Sequence, residues 1–222
     1  MFFSIAPLSL VRRTWWITRI ESAVVHGNYS DTEVHREVRT RVDTEEEAYL
    51  VASLTENGYH APALDFDFTV ETELLEDGVT RLSFPGRVVS AQRWDKLLKR
   101  MADLGMLRAG FETDEAVWMS PIGPLRNGMC IELAVPVHVL SSSTAGHHHV
   151  YIDVEMKWSK YWKLCKAMGD AGLLEREFVE LAKSHGMSML LKPGLTKLQL
   201  RARGIPLPGV IPQRQTLEYA KK

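Results

Sequence analysis

The chain has 222 residues, 45% hydrophobic and 25% charged, with 27 basic and 28 acidic side chains and a formal net charge of −1. This composition excludes a disordered chain, a collagen-like chain (only 15 glycines) and capture of nucleic acid or an anionic membrane by overall charge. The length lies between one and two domains and is enough to bury a real core.

Met1 to Val11 is apolar but has no basic residue ahead of it and no small-residue cleavage site behind it, which argues against a signal peptide. Two cysteines, Cys130 and Cys165, are too few for a disulfide framework, so a reducing, cytoplasmic setting is expected. No stretch is long and apolar enough to span a membrane, and no membrane partner is expected.

Trp15 to Val25 predicts a strand, and Val34 to Val42 a second with Val34, Val38 and Val42 on one face. Asp43 and Glu46 then stand at capping-box spacing. They predict a helix carrying Ala48, Leu50, Val51 and Leu54 and ending at Gly58.

The rest of the chain contains an internal repeat. Moving Trp94–Phe111 forward by 67 positions onto Tyr161–Phe178 gives eight identities in eighteen, among them Lys96/Lys163, Leu97/Leu164, Lys99/Lys166, Met101/Met168 and Gly105/Gly172. Each copy predicts an amphipathic helix closed by a glycine. At the same offset the alternation Leu64, Phe66, Phe68, Val70 falls on Ile131, Leu133, Val135, Val137, and Leu82-Phe84 falls on His149-Tyr151. Apolar stretches at Val117–Ile122 and Met187–Leu191 close the two units.

The expectation is an α+β fold in which helices pack on antiparallel or mixed sheets. Residues 1–203 form one domain, with an opening strand-strand-helix unit at 12–60, a first ββαβ module at 61–127 and a second at 128–197. Residues 204–222, with Pro206, Pro208 and Pro212, form an extended tail.

Two groups of residues carry possible chemistry. If Leu64 and Phe66 face the core, Asp65 and Asp67 project from the other face of the strand, where two carboxylates suit a divalent ion such as Mg²⁺ or Mn²⁺; the alternative is a solvated strand face. Further on, Ser141–Gly146 is a small polar loop entering a strand. Its alternation puts His148, Val150 and Ile152 on an apolar face and His147, His149, Tyr151 and Asp153 on a polar one. His147 and His149 suit metal ligation or phosphate contact, Asp153 suits fixing a histidine tautomer, and the Ser143/Thr144 loop suits an anion; the alternative is a histidine-rich surface strand. Walker, dinucleotide-glycine, nucleophile-elbow and His-Glu-x-x-His motifs are absent, and the histidines have no counterpart at Thr80-Arg81-Leu82 as a two-histidine phosphoesterase requires.

The runs Gly58-Tyr59-His60-Ala61-Pro62-Ala63-Leu64-Asp65-Phe66-Asp67, Ser142 to Asp153 and Leu190 to Lys197 resemble a group of actinobacterial and actinobacteriophage proteins that carry no assigned activity. More distantly, the chain is similar to the catalytic core of archaeo-eukaryotic primases. That similarity implies metal at Asp65 and Asp67, phosphate contact at His149 and a faint match at Lys192-Pro193-Gly194, with Asp153 or Glu180 left to serve as third acid.

Two functions follow as expectations. One is a non-catalytic accessory protein that binds a host or phage partner through its α+β scaffold and tail. The other is a metal-dependent enzyme of nucleotide or nucleic-acid phosphates, with Asp65, Asp67 and His149 catalytic and Ser143, Thr144, His147, Tyr151 and Lys192 holding substrate.

Overall fold

Strand alternation in the opening unit builds the largest sheet. In the computed structural model, which describes residues 11–26, 31–75, 77–111, 117–121, 123–205 and 215–217, β1 (Arg13–His26) and β2 (Asp31–Val42) form a long antiparallel hairpin, in register from Trp15↔Val42 to His26↔Asp31. The expectations placed on the apolar start before Val11, on Ile122 and on Pro206, Pro208 and Pro212 fall outside the described residues.

The predicted helix after Asp43 is not formed. Residues 45–47 make a turn, closed by the Ala48 N–H on the Glu45 carbonyl, and Leu50–Thr55 is strand β3. Leu50, Val51, Ala52, Ser53 and Thr55 are all buried, because β3 lies between β1 and a late strand and is covered on both faces. A short apolar run of this kind has no usable period: burial on both sides makes strand and helix read alike.

The elements that follow are β4 (Ala63–Phe66), β5 (Glu71–Leu74), β6 (Thr80–Ser83), β7 (Val88–Ser90) and α1 (Ala91–Asp103). Next come β8 (Val117–Ser120), β9 (Gly123–Asn127), β10 (Cys130–Leu133), β11 (Val137–Ser141), β12 (His148–Ile152) and α2 (Trp158–Asp170). The chain closes with α3 (Arg176–His185), β13 (Met189–Leu191), α4 (Lys197–Ala202) and β14 (Gln215–Leu217). The fold is α+β: four antiparallel sheets in strand orders β13-β3-β1-β2-β14, β10-β6-β5, β11-β12-β4 and β7-β9-β8, with helices packed against them. Within the C-terminal segment β14 pairs back onto β2.

α1 and α2 begin and end 67 residues apart, and Gly105 (φ +67°) and Gly172 (φ +73°) follow them in the left-handed conformation. The strands cross over reciprocally: β4 pairs with β12, and β10 pairs with β6. The register also moves one expected correspondence. Asp65 faces His149, and Glu132, 67 positions after Asp65, faces Arg81, so Arg81 rather than Leu82 stands where His149 stands.

The main core lies between these two small sheets and the helices. It joins Leu64, Phe66, Val150 and Ile152 to Leu82, Ile131 and Leu133, and to Trp94, Leu97, Met101, Tyr161, Leu164 and Met168. Both helices bury one stripe, and burial there is the dominant stabilising effect. A second cluster, Val51, Ala63, Tyr151 and Leu190 with Trp15, Leu140 and Phe178, joins the other face of the β11-β12-β4 sheet to the large sheet. The polar row of β12 is therefore largely an interior row between two layers, which counts against the surface-strand alternative. Ser188 fastens these layers: its Oγ donates to the Ala63 carbonyl (2.7 Å), it lies 2.5 Å from Tyr161 Oη, and its N–H donates to Ser53 Oγ (3.0 Å).

Candidate functional site

β4 and β12 position the site by simple strand geometry. Leu64 and Val150 face the helices, so Asp65 and His149, paired directly across the ladder, both turn to the other face. His149 Nε2 lies 3.6 Å from Asp65 Oδ1, with the imidazole 8% exposed and the carboxylate 42% exposed. That separation is too long for a hydrogen bond. Asp65 Oδ1 is nonetheless buried and has no hydrogen-bond partner, and the same holds for Tyr151 Oη two residues along the strand from His149. Two adjacent side chains with open polar atoms in one interlayer space depart from the rule that buried polar groups are satisfied.

Burial lowers the pKa of His149; Asp65 opposes that shift, while Lys197, His148 and His147 reinforce it. The imidazole is therefore held neutral with a lone pair to offer. Burial raises the pKa of Tyr151, the nearby Arg13 pulling it down and Asp65 pushing it up. The Arg13 guanidinium also stands 5.3 Å over the Tyr151 ring.

Glu175, the residue that precedes α3, was not singled out by sequence reasoning. Glu175 is exposed; some desolvation and the negative charges of Asp67, Glu177 and Asp65 raise its pKa. Asp65, Asp67 and Glu175 thus lie near enough for their charges to act on one another, with Asp67 and Glu175 exposed. No local motif marks Glu175. Lys197 carried a findable signal: it opens α4, whose Thr196/Gln199 capping box is complete (3.1 Å from the Gln199 N–H to Thr196 Oγ1).

Other residues singled out by the sequence lie elsewhere or are otherwise engaged. Asp153 is 2% exposed and pairs with Arg13 (3.1 Å) and with His138 (3.6 Å), while Arg13 also donates to the Ile152 carbonyl (3.0 Å). This buried pair ties β1 to β12, and removing one partner of such a pair costs roughly 3–5 kcal/mol. Lys192 turns to the Glu45 carbonyl (2.6 Å), and Lys197 is the ammonium that acts on His149. Ser143 and Thr144 lie in the β11–β12 turn, which closes on itself: Ser142 N–H donates to the His147 carbonyl (2.9 Å) and His147 N–H to the Thr144 carbonyl (3.1 Å). His148 lies on the opposite face, with its Nδ1 3.3 Å from both the Val70 nitrogen and the Phe68 carbonyl oxygen.

Two neighbouring ligands of an octahedral ion bound at about 2.1 Å stand roughly 3.0 Å apart, so His149 Nε2 and the orphaned Asp65 Oδ1, 3.6 Å apart, would have to draw together to share one. Among the described residues no three His, Cys, Asp or Glu side chains converge as a ready-made metal cage. With only these two protein ligands, an ion held here would have to keep several waters, as Mg²⁺ and Mn²⁺ do, and the imidazole would favour Mn²⁺ of the two. Comparison of the chain with protein-family models, with curated proteins and with solved structures gave no match.

Proposed function

We propose that the chain is a cytoplasmic accessory protein of an actinobacterium or its phage, and that it binds a phosphate-bearing ligand through a divalent cation at Asp65 and His149. The observation that carries this reading is the in-register Asp65–His149 pair, 3.6 Å apart, with an open buried oxygen on one side and a neutral imidazole on the other. A bound cation would supply positive charge for a phosphate oxygen. Asp67 and Glu175 hold the negative field that attracts the cation, and Lys197 lends a second positive group beside His149. Tyr151 Oη is a free donor in the same space.

The 67-residue helix correspondence and the reciprocal strand exchange support reading the scaffold as a duplication in which only one of two related strand pairs became a site. Binding of a fluorescent nucleoside triphosphate to the intact chain tests the function. Saturable binding that needs Mn²⁺, is abolished by EDTA and leaves the nucleotide unchanged is expected. Absence of binding, or binding indifferent to EDTA, contradicts the reading. Turnover of the nucleotide would replace the binding role with the metal-dependent enzyme.

A further inference from the structure

The outer faces of α1 and α2 carry a charge pattern that the Asp65–His149 site does not use. α1 holds Arg93, Lys96, Lys99 and Arg100 against Asp95 and Asp103, and α2 holds Lys160, Lys163 and Lys166 against Asp170. Seven bases meet three acids on two helices of a chain whose net charge is −1, so the remainder of the chain is net acidic and the positive charge is concentrated. The buried stripes Trp94, Leu97, Met101 and Tyr161, Leu164, Met168 fix the orientation: the bases lie on the opposite side of each helix, in solvent.

The three acids neutralise only part of this surface, two of its seven bases. Asp95 is engaged by Arg126 (3.2 Å), Asp170 by Lys166 (2.8 Å) and Asp103 by Arg100 (3.8 Å). Lys96, Lys99, Lys160 and Lys163 have no carboxylate partner among the described residues, and the Arg93 guanidinium donates to the Asp170 carbonyl (3.1 Å), which leaves its charge uncancelled. The helices pack on one another, so the two rows lie side by side. A cleft of about 490 Å³, lined by Gln92, Arg93, Lys96 and Asp170, runs between them. A second cleft of about 380 Å³ is lined by Lys157 and Lys160 together with Asp103 and Glu155, so the positive charge is concentrated at the first cleft.

From this we infer that the α1–α2 face is a docking surface for the phosphodiester backbone of a nucleic acid. Unpaired lysines are flexible point charges suited to phosphates, and a row of them gives affinity through counterion release without reading bases. An anionic membrane fits less well, because surface helices of that kind insert large apolar side chains and the exposed large hydrophobics described for the chain, such as Leu74, Met119 and Leu198, all lie off these two helices. The inference is independent of the reading of Asp65 and His149.

The test is fluorescence anisotropy of the full chain with a labelled mixed-sequence DNA duplex, the corresponding single strand, and vesicles of phosphatidylserine in phosphatidylcholine, over a range of salt. The double variant K96E/K163E is compared with R201E, which reverses one charge on the exposed face of α4. Salt-dependent binding to either nucleic acid is expected, weakened about tenfold or more in K96E/K163E with the salt slope reduced by about two, and little changed in R201E. Preference between duplex and single strand tells which form is docked. Three results overturn the inference: no binding at low salt, equal weakening in R201E, or binding to vesicles alone. Circular dichroism of K96E/K163E guards against misfolding, and if that variant is unfolded, K99Q/K160Q replaces it.

Discussion

Two strand pairs in this molecule begin from the same plan and end differently. In β10–β6 the acid Glu132 faces Arg81, and in β4–β12 the acid Asp65 faces His149. Glu132 is fully engaged: Arg81 reaches it at 2.6 Å and Arg108 at 3.1 Å, and hydrogen bonding from Arg81, assisted by Arg108, lowers its pKa despite burial. Asp65 has a base at 3.6 Å, an orphaned buried oxygen and further carboxylates at its side. The Arg81 fork of donors closes its pair, whereas His149 stands 3.6 Å from Asp65, too far to hydrogen-bond it. One polar pair is closed by hydrogen bonds, and the other keeps an unsatisfied buried oxygen.

The largest expected effect tests the closed pair. Glu132→Ala should destabilise the fold by about 1–2 kcal/mol in urea denaturation, kept modest because both arginines are partly in solvent. A cost near zero would remove the contrast between the two pairs.

The pH response separates them next. Above about pH 6.5, the ordinary value for histidine, His149 is neutral in both states and contributes nothing to pH dependence. As the pH falls below that, the unfolded chain takes up a proton that the buried ring resists. The fold then loses stability, levelling off once the pH is below the folded value. His60, lowered by burial too, adds to the loss in the same window, so the difference between wild type and His149→Gln isolates His149. Glu132 acts lower on the scale. Its folded pKa is depressed, so its contribution is complete above the ordinary carboxylate value of 4.5 and is lost only as the pH falls through the folded value. An unchanged acid limb in His149→Gln would show the ring to be solvated.

The smallest stability effect belongs to the open pair. Asp65→Asn should change stability by no more than about 0.5 kcal/mol in either direction, because Asp65 Oδ1 has no partner to lose. A loss comparable to that of Glu132→Ala would make Asp65 a structural residue.

The parts of this arrangement that sequence carries are those with a clean period. α1 and α2 were legible from their stripes and closing glycines, and the alternation around Leu64 and Val150 correctly set Asp65 and His149 on the face opposite the helices. The β3 segment was not legible, because burial on both faces erases the period that separates strand from helix. Nor was the covering of the Tyr151 row, which depends on Arg13 meeting Asp153 across 140 positions. Glu175 reaches Asp67 through tertiary folding alone, and the one-residue shift that sets Arg81 opposite Glu132 emerges only from strand pairing.

Titration of the intact chain with Mn²⁺, followed by the loss of the free-ion electron paramagnetic resonance signal, tests the central claim most directly. One saturable site is predicted in the wild type and in Glu132→Gln, weakened at least about tenfold in Asp65→Asn and in His149→Ala. Absence of a saturable site, or equal binding by wild type and Asp65→Asn, would contradict the claim that the open strand pair is the functional one.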